Sequence, residues 1–158
     1  MHVQQTFEIP RQHQFFVKES KCAFRQQELE YLGHIITNHG VKVDDSKIAA
    51  MVAWPRPTNI LELRGFLGLT RYYRKFVQNY GNIAQPLTNM LKKNQFGWHE
   101  AVEDVFLALK QAMTTTPILA MPNFNKAFTI ETDASGDGIG AVLVQQGKPV
   151  AYMSRLLE

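Results

Sequence analysis

Hydrophobic residues change period twice along this 158-residue chain. Near both ends apolar and polar residues alternate, as in strands with one face buried; between them apolar residues recur every three to four positions, as on an amphipathic helix. The order is therefore β-rich, helical, then β-rich again, which predicts an α+β chain.

The segments follow from local chemistry. Residues 2–13 place Val3, Phe7 and Ile9 at helical spacing, and Pro10 is expected to break or kink that helix because it lacks a backbone donor and crowds the preceding turn. Residues 15–17 and 22–25 read as short strands around a turn at Glu19-Ser20. Residues 31–37 and 41–43 form a predicted hairpin across Asn38-His39-Gly40, the glycine supplying the unusual backbone angle. A helical stripe of Ile48, Met51 and Val52 follows, with Asp44 or Asp45 placed to cap it and Pro55 and Pro57 to end it. Asn59 and Glu62 approximate a capping box that opens a helix to about Val77. Residues 82–92 predict a shorter helix with Pro86 in its first turn. Residues 100–113 predict a longer one, with Val102, Val105, Phe106, Leu109 and Met113 on one side. Beyond Pro117 the period returns to two, over 128–132, 139–145 and 150–153. There is no internal repeat, and the change of character puts a junction near 94–123.

Composition narrows the function classes only a little. A hydrophobic share of 45% against 20% charged residues suits a packed core rather than disorder. The net charge of +3 permits a nucleic-acid partner without requiring one. The lone Cys22 excludes an internal disulfide and fits a reducing compartment. With no long apolar run and no apolar stretch after Met1, the expectation is an intracellular protein of cytoplasm or nucleus that makes no membrane contact.

Residues 62–76 are the most specific stretch. On a helix Arg64, Gly68 and Tyr72 lie four apart and share a face, offering a cation, bare backbone and an aromatic edge, with Arg71 beside them. Such a face can lie against a nucleic-acid groove, glycine permitting close approach and arginine meeting phosphate. The alternative is a tightly packed helix pair, with Gly65 and Gly68 admitting a neighbour. Trp54 and Trp98 read as packing anchors before stacking platforms. Cys22, His34 and His39 match no familiar zinc spacing.

Several motifs together resemble the Ty3/gypsy-type retrotransposon polyprotein: Leu32-Gly33-His34 with Gly40-Val41, the run from Leu63 to Phe76, Trp98 with Phe106, Leu109 and Lys110, and Pro117-Ile118-Leu119. Thr132-Asp133-Ala134-Ser135 and Gly138-Ile139-Gly140-Ala141-Val142-Leu143 complete the set. The order and spacing are the family's, and the resemblance covers essentially the whole chain. It implies that Leu32, Gly33 and His34 belong to a primer grip and that Arg64, Gly68, Arg71 and Tyr72 belong to a thumb helix tracking template–primer. It also implies a third part that begins a ribonuclease H domain, in which Asp133 is one catalytic, metal-binding carboxylate. Pro10, Asp45 and His99 depart from the family pattern.

The parent chemistry uses several carboxylates around paired Mg²⁺ ions. The family's aromatic-x-Asp-Asp motif is expected just before residue 1, and Asp44-Asp45, preceded by Lys42-Val43, reads as helix capping instead. Asp133 alone makes an incomplete site; Asp137 reads as a solvated turn residue, and Glu131 can face either side of its strand. The expected architecture is a β-hairpin plus helical thumb, then a helix and an incomplete ribonuclease H-like three-stranded antiparallel sheet. The parts are 1–43 palm-edge and primer-grip strands, 44–93 helical thumb, 94–125 connecting helix and linker, and 126–158 ribonuclease H-like. The expected function is a polymerase/ribonuclease H fragment that grips RNA–DNA hybrid or duplex, with no productive Mg²⁺ of its own. The alternatives are part of an active enzyme joined to further segments, and a recruited module whose unfinished sheet is completed by a protein partner.

Overall fold

A computed structural model describes residues 2–136 and 138–157 of the chain; the turn reading of Asp137 lies outside the described residues. Helix α1 (His2–Gln12) contains Pro10 without breaking there. The proline loses only its own donor: its carbonyl still accepts from the Phe15 amide at 2.8 Å, and the chain turns away at Gln14, where φ is 59°. Residues 15–17 and 22–25 form no strands; a single 3-10 turn at Glu19–Lys21 lies between them. A strand needs a ladder partner, and among the described residues these segments belong to neither sheet, which leaves Phe15 and Phe16 exposed.

The expected hairpin is a three-stranded antiparallel meander, β1 (Glu28–Tyr31), β2 (His34–Thr37) and β3 (Gly40–Val43). What looked like one strand over 31–37 is interrupted at Leu32-Gly33, where φ is 50° and 73° and Tyr31 pairs with His34. Two successive left-handed residues reverse the chain in a two-residue turn that follows the sheet's twist. The reversal at Asn38-His39 is where it was expected, with Thr37 opposite Gly40.

Helix α2 (Asp45–Val52) is capped by Asp44, whose carboxylate accepts from the Ser46 amide at 2.7 Å. Helix α3 (Ile60–Tyr72) is capped by Asn59, which accepts from the Glu62 amide at 3.0 Å. Glu62 reaches back to the Thr58 amide at 2.7 Å, one residue before the cap. The helix ends at Tyr72 rather than near Val77. A tighter 3-10 turn, Arg74–Phe76, takes over and carries Tyr73 and Phe76 into the core. Helix α4 (Tyr80–Asn89) starts earlier than expected, because Asn79 at φ 56° resets the chain direction. Pro86 therefore lies inside α4, where it omits one helical hydrogen bond. Helix α5 (Glu100–Thr114) starts at His99, which gives no side-chain cap.

The core forms where α2, α3, α4 and α5 meet. Phe66 is fully buried against Phe106, ring centroids 4.6 Å apart, with Trp54 at 6.1 Å on its other side. Burying one such side chain stabilises the fold by about 1.5–3 kcal/mol. Trp98 lies edge-on to Phe106 and donates to Glu103 at 2.6 Å, and the Trp54 carbonyl accepts from Lys110 at 2.6 Å. Both tryptophans are packing anchors. The remaining strands, β4 (Thr129–Ala134), β5 (Gly138–Gln145) and β6 (Lys148–Leu156), form a second antiparallel sheet in the order β4-β5-β6. Strand β6 meets α4, where the Gly81 amide donates to Ser154 Oγ at 2.7 Å.

Candidate nucleic-acid interface

Helix α3 has two unlike sides. Leu63, Phe66, Leu67 and Thr70 are buried, while Arg64, Gly68, Arg71 and Tyr72 are exposed. The two glycines separate the alternatives left open by the sequence. A Cβ on Gly65 would stand 3.2 Å from Trp54 Cζ2, so this glycine lets the indole close onto the helix. A Cβ on Gly68 would meet nothing within 4 Å. Packing therefore accounts for Gly65 and leaves Gly68 as bare backbone facing outward, between Arg64 and Tyr72. A glycine inside an exposed helix face lowers stability by about 1 kcal/mol relative to alanine; packing gives no return here.

The Leu32-Gly33-His34 turn is joined to the end of this helix. The Tyr72 hydroxyl donates to the Leu32 carbonyl at 3.0 Å, and the Tyr73 hydroxyl donates to the Gly33 carbonyl at 3.1 Å. The His34 ring lies among Tyr72, Tyr73 and Phe76, with centroids 5.5 to 5.6 Å away. His34 Nδ1 is 3.0 Å from the Leu32 carbonyl, which can only accept, so Nδ1 carries a proton. Nε2 is buried without a hydrogen-bond partner among the described residues. Gly33 is required twice over: its φ is 73°, and a Cβ would come 2.5 Å from Tyr73 Oη. Burial pushes the Tyr73 hydroxyl's pKa up, keeping it a donor. The structure thus brings Leu32, Gly33, His34 and Tyr72 together. Arg64, Gly68 and Arg71 lie farther along the same helix.

Tyr73 is a neighbour of the candidate site that the sequence did not single out. The signal was the pair Tyr72-Tyr73: consecutive helical residues point about 100° apart, so one aromatic stays at the surface while the next enters the core. Tyr72 is 53% exposed and Tyr73 2%.

The carboxylates are dispersed. Asp133, on β4 opposite Gly140, shares a strand face with Glu131, as alternate residues of a strand do. These two line a shallow cavity of about 270 Å³ together with Asn79. Among the described residues no three His, Cys, Asp or Glu side chains are placed to hold a metal ion. Among the described residues the donor set around Asp133 does not fit a paired-Mg²⁺ site, and Cys22, His34 and His39 are not grouped as one. Asp44 is occupied as a cap, and hydrogen bonds from Ser46 hold its pKa below the usual carboxylate range. Asp45 pairs with Lys42 at 3.6 Å. Among the described residues no helix is long and apolar enough to cross a membrane.

Known proteins resemble this chain at two levels. The family of RNase H-like domains found in reverse transcriptase matches residues 98–158, which takes in α5 as well as the second sheet. An uncharacterized mitochondrial protein of Arabidopsis thaliana is 52% identical over 129 residues, covering 80% of this chain and 82% of that protein. The retrovirus-related Pol polyprotein from transposon 297 of Drosophila melanogaster is 45% identical over 139 residues. The one from transposon gypsy of the same organism is 36% identical over 155 residues. The chain covers only 13% and 15% of those two polyproteins. A foamy viral protease-reverse transcriptase solved with an RNA/DNA hybrid has the same fold over 99% of this chain, with a TM-score of 0.87 at 22% identity, matching 22% of that structure's chain.

Proposed function

Since this chain belongs to the Ty3/gypsy-type reverse transcriptase/ribonuclease H family, we propose that it is the part of that polyprotein which grips template–primer, an RNA–DNA hybrid or duplex. The observation that carries this reading is the open backbone at Gly68, flanked by Arg64 and Tyr72 with Arg71 beside them, on the unpacked side of α3. A groove edge of the nucleic acid can approach that backbone closely while the arginines meet phosphates. The Leu32-Gly33-His34 turn, held by Tyr72 and Tyr73, lies at the end of the same track as a primer-grip element. Two of the structural neighbours were solved with an RNA/DNA hybrid and with dsDNA, which supports the same class of ligand.

In this reading residues 1–43 are palm-edge strands, 44–93 the thumb, 94–125 a connecting helix and linker, and 126–158 ribonuclease H-like. The family's Mg²⁺ chemistry would draw on carboxylates beyond the described set, Asp133 contributing one. The site of action would be intracellular. A second reading has its own support: β4 is exposed along its length and among the described residues pairs only with β5, leaving an edge that a protein segment can extend.

Binding of a labelled RNA–DNA hybrid, followed across a salt series, tests the proposal. Each phosphate contact contributes about 0.9 to the slope of log affinity against log salt. Arg64→Ala and Arg71→Ala should each weaken binding and flatten that slope by about one unit. No binding at low salt, or binding indifferent to both substitutions, removes the proposal.

A further inference from the structure

A second basic feature extends the α3 face toward the second sheet. A groove of about 460 Å³ runs between α3, α4 and β6. Arg64, Arg71 and Arg74 line it from α3 and the turn after it, and Arg155 lines it from β6. Among the described residues no acidic side chain lines the groove and none of the four arginines forms an ion pair. Leu67, Ala84 and Leu91 supply apolar surface between the cations. Burial raises the Tyr80 pKa, and the hydrogen bond with Thr70, then the charges of Arg71 and Arg74, pull it back, so both cations act on a residue of the groove. Four arginines line one groove with no acidic side chain among its described lining, and an incoming polyanion would supply a counter-charge. Guanidinium is also the side chain best shaped for phosphate oxygens.

Arg64, Gly68 and Arg71 belong both to this groove and to the exposed face of α3, so the two surfaces are continuous. We propose that the groove seats the phosphodiester backbone of one nucleic-acid strand, making Arg155 of the second sheet a direct contact and letting the helical part and the sheet hold the same strand. This rests on the reading of α3 as nucleic-acid-facing and adds a contact outside it. The strand belongs either to the duplex itself or to an unpaired extension, and both present the same phosphates.

The experiment uses the full chain with Arg74→Ala, Arg155→Ala and the double substitution. Arg74 and Arg155 are exposed, so the fold should persist, and thermal melting checks that it does. Two probes are compared, a blunt RNA–DNA hybrid and the same hybrid with an unpaired extension, between about 50 and 200 mM salt. Over that range one phosphate contact accounts for about a threefold fall in affinity, so the double variant should lose roughly tenfold less than the parent. A flattened slope with both probes assigns the groove to the duplex backbone, and with the extended probe alone to the unpaired strand; either supports the proposal. An unchanged slope with both probes overturns it, whether or not affinity falls. Tyr72→Ala separates the two ideas, because Tyr72 lies on the exposed face of α3 and does not line the groove: if it weakens binding while the double variant leaves the slope unchanged, the groove is excluded and the α3 reading stands. If binding is indifferent to Tyr72→Ala, Arg64→Ala and Arg71→Ala alike, the α3 reading fails and the groove proposal falls with it.

Discussion

Gly68→Ala should make the protein more stable and a weaker binder. The residue sits in the interior of α3, and the added methyl would meet no atom within 4 Å, so it costs nothing in steric strain. It removes the backbone freedom that glycine keeps in the unfolded chain, a gain of about 0.8–1.0 kcal/mol. For a chain of this size that raises the melting temperature by roughly 2–4 °C. The same methyl stands where a nucleic-acid groove is proposed to approach bare backbone. A binding loss of about 1.4 kcal/mol is tenfold in Kd, easily read by fluorescence anisotropy. The salt slope should not change, since no cation is removed. Gly65→Ala is the control: its methyl would press on Trp54 Cζ2 at 3.2 Å, and Trp54 is held by Phe66 and through its carbonyl by Lys110. Its stabilisation should shrink or reverse while binding is untouched. The reasoning is refuted if Gly68→Ala binds like the parent, or if it lowers the melting temperature.

Gly33→Ala should destabilise by about 1–2 kcal/mol from its left-handed backbone alone, and by more once Tyr73 Oη is displaced; denaturant midpoints measure it. Phe66→Ala removes a ring packed between Trp54 and Phe106 and should cost about 3–5 kcal/mol, visible as a lower thermal midpoint. Asp44 and Glu62 both have depressed pKa values, through hydrogen bonds from Ser46 and Thr58 respectively. Their stabilisation is therefore present above the unfolded carboxylate pKa, about 4, and fades as pH falls through the folded values. Asp44→Asn combined with Glu62→Gln should flatten stability against pH on that acid side, by denaturant titration at each pH.

Features decided by neighbours in sequence were legible there. The caps at Asp44 and Asn59 follow from short polar side chains set before an apolar stripe, and the helices they open lie where the stripe puts them. Features decided by distant neighbours were not. Residues 15–17 have strand-like composition, but a strand exists only beside another, and among the described residues none pairs with them. The turn at Leu32-Gly33 was hidden because leucine is a poor signal for a left-handed residue, so one strand was read where two exist. The helix end at Tyr72 depended on burying both Tyr73 and Phe76, which an apolar stripe continued to Val77 does not foretell. In the candidate site, the shared face of Arg64, Gly68 and Tyr72 was readable from spacing. The difference between Gly65 and Gly68 was not, because it depends on where Trp54 lies. Arg155 is far from α3 in sequence, and only the fold brings it to the same groove.

Tyr72 and Tyr73 couple the Leu32-Gly33 turn mechanically to the end of α3. Each donates across from α3 or its end to a carbonyl of the same two-residue turn, and a hydrogen bond of this kind contributes about 0.5–1.5 kcal/mol. The Gly33 carbonyl also accepts from the Asp44 amide, at the residue that caps α2. The turn is thus tied to two helices at once, and the His34 ring fills the space between the tyrosines and Phe76. A load on the exposed face of α3 is carried through Tyr72 to Leu32, and through the buried Tyr73 to Gly33 and α2. Turn and helix should therefore respond to nucleic acid as one body. Under the proposed function that makes the left-handed Leu32-Gly33 backbone part of the grip, since an ordinary extended connection would not place both carbonyls within reach of the two hydroxyls.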